Sequence, residues 1–312
     1  MSDHKETSVD KVNSQGKAES NEDTIDVAVD KQFSKKFFAQ STHQLSIEFG
    51  AATHTGHVRA NNEDHYVVLK RRRTTELIKT NLAAEDLALA DDADYAMVVA
   101  DGMGGHNCGE FASRVALQRM FELAQQATSW VMKYTDLEIQ QIRERALAYI
   151  QEIQATLREH MNADPSRAGM GTTWTMAHLL PPHAIVVQIG DSRAYLWHDG
   201  QLRQITRDET MAQAFIDSGV NPDSVKKFRH LLLNNLGGTK DNVTAQVHHV
   251  PIGPGDQLLL CSDGLHDMVT DDAIATILRQ SSNPQKACDQ LIAAALAGGG
   301  RDNVTVALAS VW

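Results

Sequence analysis

Acidic residues lie at the ends of four apolar, strand-like segments of the chain. Asp101 follows "AMVVA", and Asp263 follows "QLLLCS". Asp302 comes directly before "NVTVALA", and Glu63 and Asp64 come directly before "HYVVL". If these strands are neighbours with these ends on one side, the carboxylates converge. They would then repel one another by about 4 kcal/mol per pair at roughly 4 Å and an effective dielectric of about 20, so a cation must lie among them.

The donors at this predicted site are oxygen atoms, since no Cys or His stands at ligand spacing. Oxygen ligands favour a hard cation, Mg²⁺ or Mn²⁺, whereas zinc prefers Cys or His. Gly102 lets the backbone come close, so its carbonyl can add a ligand. Arg59, just upstream of the acids in "RANNED", can grip a phosphate in a bidentate manner. This combination predicts a phosphate ester as substrate and two metals bridged by a carboxylate.

The alternative for each acid is an ordinary turn. Asp-Gly and Asp-Asn pairs are typical turn residues, and any single one of them indicates no more than that. Four such turns beside apolar strands, together with Arg59, favour a shared site.

The elements that must position these acids indicate an α+β fold. Strands are many and mostly linked as hairpins, with Asp199-Gly200 as the strongest turn signal. Helices come in two sequence pairs: "GEFASRVALQRMFELAQQA" with Leu137–Met161, which starts with a capping box at Thr135 and Glu138, and "DDAIATILRQ" with "PQKACDQLIAAAL". We therefore predict a sheet core with helices outside it.

Composition indicates the extent of the folded domain, its compartment and the kinds of partner that it excludes. Residues 1–44 are polar and charged, which predicts a disordered N-terminal tail, and the folded domain is expected at 45–312. The net charge of −11 argues against a nucleic-acid partner.

Three scattered cysteines form no disulfide framework and fit a reducing compartment. With no apolar run long enough for a membrane span and no secretory signal, we expect a cytoplasmic protein without a membrane partner.

A basic run, Arg71 to Arg73, lies in the long connection between two predicted strands. Such a run is most often a solvated hairpin tip. The alternative is a docking surface for an acidic partner.

Six motifs occur in order between residues 59 and 306: "RANNED", "VVADGMGGH", "GMGTTWT", "IGDSRAYL", "LLCSDGLHD" and "GGGRDNVTV". Together they resemble the bacterial metal-dependent Ser/Thr phosphatases of the protein phosphatase 2C type, the PPM family. The resemblance implies a four-layer αββα sandwich, in which two antiparallel sheets are flanked by helix pairs, with a flap at about residues 207–238.

The resemblance also implies roles at a centre of two Mn²⁺ or Mg²⁺ ions. Asp101 would bridge both metals and Arg59 would clamp the phosphate. The remaining implied ligands are the Gly102 carbonyl for one metal, Asp263 and Asp302 for the other, and Asp64 with Glu63 as an outer ligand through water. Structural roles are implied for Thr172, Thr173, Gly190, Asp191 and Ser192.

Two departures from the family pattern affect these roles. Met103 stands where animal members have a candidate general-acid His, so water is expected to protonate the leaving group. Ser166 stands where bacterial members often have a third-metal Asp. Asp164 and Asp208 are then the candidates for an outer shell or a third metal.

The implied activity is hydrolysis of phosphoserine and phosphothreonine on proteins by direct attack of an activated hydroxide. Expected partners are phosphoprotein substrates and a cognate Ser/Thr kinase, with the chain a monomer. Two alternatives stay open: a non-catalytic phosphoprotein-binding scaffold of the same fold, which the complete set of acids argues against, and a metal-dependent phosphodiesterase or nuclease, which the acidic net charge argues against.

Overall fold

The computed structural model describes residues 45–73, 76–82, 92–104, 108–126, 136–240 and 242–312. The predicted tail at 1–44 and the capping box that begins at Thr135 lie outside these residues. None of the described helices is both long enough and apolar enough to cross a membrane.

Thirteen strands are described in these ranges. In chain order they are β1 (Ile47–His54), β2 (His65–Arg73), β3 (Asp92–Ala100), β4 (Gly102–Met103), β5 (Gly171–Thr172), β6 (Trp174–Leu180), β7 (His183–Ile189), β8 (Arg193–His198), β9 (Gln201–Gln204), β10 (Leu236–Gly237), β11 (Gln246–Pro251), β12 (Gln257–Cys261) and β13 (Val304–Val311).

Helices occupy much of the remaining described chain. They are α1 (Cys108–Gln126), α2 (Asp136–Ala163), α3 (Met211–Asp217), α4 (Pro222–Val225), α5 (Asp263–His266), α6 (Asp271–Gln280) and α7 (Pro284–Ala297). Two 3-10 turns, Pro165–Arg167 and Lys226–Phe228, complete the set of described helical segments.

Two five-stranded antiparallel sheets form the centre of the domain. The first has the order β1-β13-β12-β8-β9, and the second has the order β11-β7-β6-β3-β2. A small third sheet has the order β10-β5-β4. Helix α1 packs against β4 and β5, and helix α2 packs against β10.

The core between the sheets follows from strand periodicity, in which successive side chains point to opposite faces. Met97 and Val99 of β3 pack between the two sheets against residues such as Leu258 and Leu260 of β12. Val98, between them, points to the other face and packs with α1 and α2.

Helix pairs cover both outer faces. Helices α1 and α2 pack on the second sheet through a cluster that includes Ile153 and Trp174. Helices α6 and α7 pack on the first sheet through Ile274 and Leu291. The predicted four-layer αββα sandwich is therefore confirmed.

The predicted hairpin between β8 and β9 is also confirmed. Asp199 and Gly200 have φ values of +48° and +77°, as a two-residue turn of type I′ requires at both central positions.

The basic run indicated a solvated hairpin tip, but Arg71 lies within strand β2 and is paired. It lies directly opposite Asp94 in the β2–β3 register, and its Nε and Nη2 each donate to that carboxylate at 2.9 Å. Asp94 is buried, with only 3% of its surface exposed. A buried carboxylate needs a partner of this kind, so Arg71 stabilises the sheet.

The inter-sheet core predicts the effect of truncating Leu260. This residue is fully buried and lies between Ala194 and Ala307 on the neighbouring strands. We expect Leu260→Ala to lower the free energy of unfolding by about 2–5 kcal/mol, because a cavity adds to the lost transfer energy. Leu82→Ala, at a leucine that is 55% exposed, is the control and should change it little. Urea denaturation measures both, and equal effects would contradict the layer assignment.

Candidate functional site

Five aspartates converge where the ends of both sheets meet. Each stands beside a strand end: Asp64 before β2, Asp101 after β3, Asp191 after β7, Asp263 after β12 and Asp302 before β13. We call these five residues the acid cluster. The structure thus brings together the four aspartates that the sequence placed at strand mouths, and it adds Asp191.

Mutual repulsion within the acid cluster shows in the pKa values. Burial, and then the charges of Asp64, Asp263, Asp191 and Asp302, raise the pKa of Asp101 well above its usual range. Burial, and then the charges of Asp191 and Asp302, do the same for Asp263. The cluster therefore binds protons in place of cations when no cation is present.

The main chain of Asp101 is held on both sides. Its N–H donates to Thr173 Oγ1 at 3.0 Å, and its carbonyl accepts from Thr172 Oγ1 at 2.9 Å and from the Thr173 N–H at 2.8 Å. Thr173 Oγ1 in turn lies 2.7 Å from Ser192 Oγ. The two threonines therefore fix the backbone of Asp101 without using its carboxylate.

Asp64 carries an unsatisfied oxygen inside the cluster. Its Oδ2 accepts from Ser262 Oγ at 2.7 Å, whereas its buried Oδ1 has no hydrogen-bond partner among the described residues. Burial raises the pKa of Asp64 to about 6. An unpaired buried carboxylate oxygen is costly, so this atom suits a cation or a water bound to one.

Arg59 supplies positive charge at the open side of the cluster. Its Nη2 lies 2.6 Å from Asp302 Oδ2, and the two side chains are 55% and 35% exposed. The hydrogen bond to Asp302 raises the pKa of Arg59. Ion pairs as exposed as this one contribute little stability, so the guanidinium can exchange Asp302 for a phosphate at low cost.

Asn303 holds the loop that carries Arg59. Its Nδ2 donates to the carbonyls of Thr55 and Asn61, both at 2.9 Å. Its Oδ1 accepts from the Glu63 N–H at 2.8 Å. The sequence motif contains this residue, but its positioning role appears only when β13 and the loop are adjacent.

Gly102 allows a close approach of the backbone to α1. A Cβ placed there would lie 2.3 Å from the Gly109 carbonyl oxygen and 2.6 Å from that of Glu63. The Glu63 side chain is half-buried beside it, and burial raises its pKa while Arg59 acts in the opposite direction. Any residue larger than glycine at 102 would therefore displace backbone next to Asp101.

Asp191 and His266 are the main additions to the predicted site. Burial, and then the charges of Asp208 and Asp267, raise the pKa of Asp191 to about 7. His266 is 4% exposed at its side chain, and its Nε2 lies 3.1 Å from the Asp191 carbonyl. Burial, and then the charge of Arg193, lower the pKa of His266 to about 3, so it is neutral.

The two candidates for a third metal lie in different surroundings. Burial alone would raise the pKa of Asp208, but the bidentate bonds from Arg193, at 2.8 and 2.6 Å, leave it lowered. Asp164 begins a 3-10 turn, where it accepts from the Ser166 N–H and Oγ and pairs with Arg167 at 3.1 Å. The charge of Asp208 also raises the pKa of Asp191, which places Asp208 at the edge of the cluster.

The residues present fit a hard cation. Among the described residues, no group of three His, Cys, Asp or Glu side chains forms a ready-made metal site. The mutual repulsion of the carboxylates, the unpaired Asp64 oxygen and the guanidinium beside Asp302 nevertheless all indicate a place for positive charge. An all-oxygen donor set suits Mg²⁺ or Mn²⁺.

Comparisons with known proteins agree with this geometry. The family described as "Protein phosphatase 2C" matches residues 75–297. The chain is 33% identical over 270 residues to the serine/threonine protein phosphatase PstP of Mycobacterium tuberculosis, a match that covers 86% of this chain and 45% of that protein. The chain thus spans about half the length of this relative. It is also 29% identical to the serine/threonine phosphatase stp of Listeria welshimeri, over 82% of this chain and 92% of that protein.

Solved structures show the same fold. The catalytic domain of PstP in complex with two manganese ions superposes with a TM-score of 0.67 at 31% identity, covering 86% of this chain and 99% of that one. The serine/threonine phosphatase Stp1 of Staphylococcus aureus superposes with a TM-score of 0.70 at 27% identity, covering 86% and 96%.

The contact between Gly102 and α1 predicts that even one methyl group is not tolerated. We expect Gly102→Ala to lower the free energy of unfolding by about 1–3 kcal/mol, because the added Cβ meets backbone atoms that cannot move aside. Gly253→Ala is the matched control, since a Cβ there meets nothing within 4 Å. Thermal denaturation compares the two variants. A Gly102→Ala protein as stable as the control would show that the backbone is looser here than described.

Proposed function

The chain belongs to the protein phosphatase 2C family, and on that premise we propose that it hydrolyses phosphoserine and phosphothreonine residues of proteins. The single observation that carries this proposal is the acid cluster with Arg59 at its open side. The carboxylate oxygens of the acid cluster favour bound cations, and the weakly paired guanidinium of Arg59 favours a bound anion. A phosphate ester satisfies both requirements.

We assign the binding of two Mn²⁺ or Mg²⁺ ions to the acid cluster and its neighbours. The assigned ligands are Asp101 for both ions, the Gly102 carbonyl for one, Asp263 and Asp302 for the other, and Asp64 with Glu63 in an outer position. When bound there, two such ions would lower the pKa of a water molecule and offset charge on the phosphoryl oxygens. The relative PstP, solved with two manganese ions, supports the number and the metal.

Arg59 binds the phosphoryl group in this proposal. Its guanidinium leaves Asp302 and donates to two oxygens of the substrate phosphate, which orients the phosphorus toward the cluster. Asn303 fixes the loop that carries Arg59, so the guanidinium is held near the position that the phosphate occupies.

Cys261 and Cys288 offer no alternative nucleophile. Cys108, Cys261 and Cys288 are all buried, and burial raises the pKa of Cys261 and of Cys288 to about 12. A thiol with so high a pKa is not a nucleophile at neutral pH. This favours direct attack by water over a covalent cysteinyl intermediate.

Phosphoproteins are the proposed substrates, and a Ser/Thr kinase is the proposed opposing enzyme. We propose a monomer that binds neither nucleic acid nor membrane. The test that separates a phosphomonoesterase from a phosphodiesterase is cheap: the Mn²⁺-loaded protein should hydrolyse p-nitrophenyl phosphate and phosphopeptides, but neither bis-p-nitrophenyl phosphate nor DNA.

Removing the charge of Asp101 should lower activity more than removing the charge of Asp263 or Asp302. We expect Asp101→Asn to lower kcat/KM for p-nitrophenyl phosphate by at least about a hundredfold, because both ions lose a negative ligand. Excess Mn²⁺ should not restore the rate, whereas it should partly restore Asp302→Asn, which affects one ion. Initial rates over a Mn²⁺ titration measure this. Recovery of Asp101→Asn at high Mn²⁺ would show that Asp101 is not the shared ligand.

Loss of the Arg59 guanidinium should weaken phosphate binding. We expect Arg59→Ala to raise KM for phosphopeptides and the inhibition constant of inorganic phosphate by about tenfold, as for a charge-assisted hydrogen bond worth about 1.5–3 kcal/mol. Arg279→Ala, at an exposed arginine of α6, is the matched control. Unchanged phosphate inhibition in Arg59→Ala would rule out the assigned role.

A further inference from the structure

A positively charged surface lies on the flap, beside the acid cluster. Lys226, Lys227 and Arg229 fall within four positions and are all exposed. We call these three residues the flap cationic patch. Its charge is opposite to the net charge of the protein, which is −11. A local field of this kind attracts anionic ligands to one region of an otherwise acidic surface.

The base of the flap is bonded to the turn that carries Asp191. The Glu209 N–H donates to the Gly190 carbonyl, and the Gly190 N–H donates to Glu209 Oε2, both at 2.9 Å. Asn234 Nδ2 donates to the same carboxylate at 2.8 Å from the other arm of the flap. These bonds hold the start and the end of the flap at a fixed place beside the cluster.

The two arms of the flap are also bonded to each other. The Met211 N–H donates to the Leu231 carbonyl at 2.8 Å, and the Leu233 N–H donates to the Glu209 carbonyl at 2.7 Å. The flap cationic patch lies between these arms in the chain, so its position follows from the same bonds.

Arg229 reaches the rim of the acid cluster. It lines a small cavity together with Asp191, Asp263 and Asp267. Its Nη1 lies 4.0 Å from Asp267 Oδ1, and the two side chains are 47% and 40% exposed. Arg59 pairs with Asp302 on another side of the cluster, so the site has an arginine at two separate places on its rim.

Partners within the chain neutralise the patch only weakly. Lys226 Nζ lies 2.8 Å from the exposed carboxylate of Asp223, and Lys227 Nζ lies 5.0 Å from the centre of the Phe228 ring. An ion pair as exposed as that of Lys226 and Asp223 contributes little, so an external carboxylate can compete with it.

We infer that the flap cationic patch selects phosphoprotein segments in which acidic residues flank the phosphorylated residue. This inference rests on the proposed function, because it places the phosphoryl group at the acid cluster and Arg59. The patch then contacts Asp or Glu side chains that lie next to the phosphorylated residue in the substrate.

Two phosphothreonine peptides that differ only in their flanking residues, Glu in one and Gln in the other, test this inference. We expect the wild-type protein to have a kcat/KM for the Glu peptide about threefold or more above that for the Gln peptide, which a few exposed charge pairs can supply. The preference should shrink in 0.5 M salt, where a Debye length of a few ångströms screens exposed charges.

Charge reversal assigns the preference to the patch. Lys227→Glu should reduce or invert the ratio of the two kcat/KM values, and Arg229→Gln should reduce it. Lys286→Glu, the same change at an exposed lysine of α7, should leave the ratio at its wild-type value. Because a general structural defect lowers both rates together, the ratio reports selectivity separately from folding.

The possible outcomes are distinct. Equal rates on both peptides at low salt, or an unchanged ratio in Lys227→Glu, would overturn the inference while leaving the proposed function intact. If the Mn²⁺-loaded wild type hydrolyses neither peptide nor p-nitrophenyl phosphate, the proposed function fails, and the inference fails with it.

Discussion

Repulsion among carboxylates at the edge where the two sheets meet is the constraint on which the rest of the site depends. Asp101 and Asp263 lie in that edge, and burial and the charges of neighbouring aspartates raise both of their pKa values. The hydrogen bonds around Asp101 reach its backbone, through Thr172 and Thr173. The position of the carboxylate is therefore stabilised while its charge is left for a cation, which is how a rigid scaffold presents a metal ligand.

The same edge connects the site to the flap. Ser192 bonds to Thr173, which supports Asp101, and Gly190 in the same turn bonds to Glu209 at the base of the flap. Arg193, next in the chain, holds Asp208 with two bonds. One short turn after β7 thus connects Asp101, which we propose as a metal ligand, to the surface that we assign to substrate selection.

Local pattern predicted the α+β class, the hairpin at Asp199 and the acids at four strand ends, whereas the four-layer arrangement followed from the family resemblance and the convergence of the acids required neighbouring strands. Asp191 also stands at the end of an apolar run, "AIVVQIG", and the same pattern could have identified it. The family resemblance implied only a structural role for it. Asn303 and the Arg71–Asp94 pair could not be predicted, because they depend on contacts between segments that are distant in sequence or on a strand register that the sequence leaves open. Asp164, the other candidate that the sequence offered, accepts from the Ser166 hydroxyl at 2.6 Å.

Calorimetric titration of the metal-free protein with Mn²⁺, in buffers of different ionisation enthalpy, tests the central claim most directly. Burial and neighbouring charge raise the pKa of Asp64 to about 6 and that of Asp191 to about 7, so these groups carry protons at pH 6 and lose most of them by pH 8. The account predicts that two ions bind per chain, with more protons released per ion at pH 6 than at pH 8. Binding of fewer than two ions, or proton release that does not change between these pH values, would contradict it.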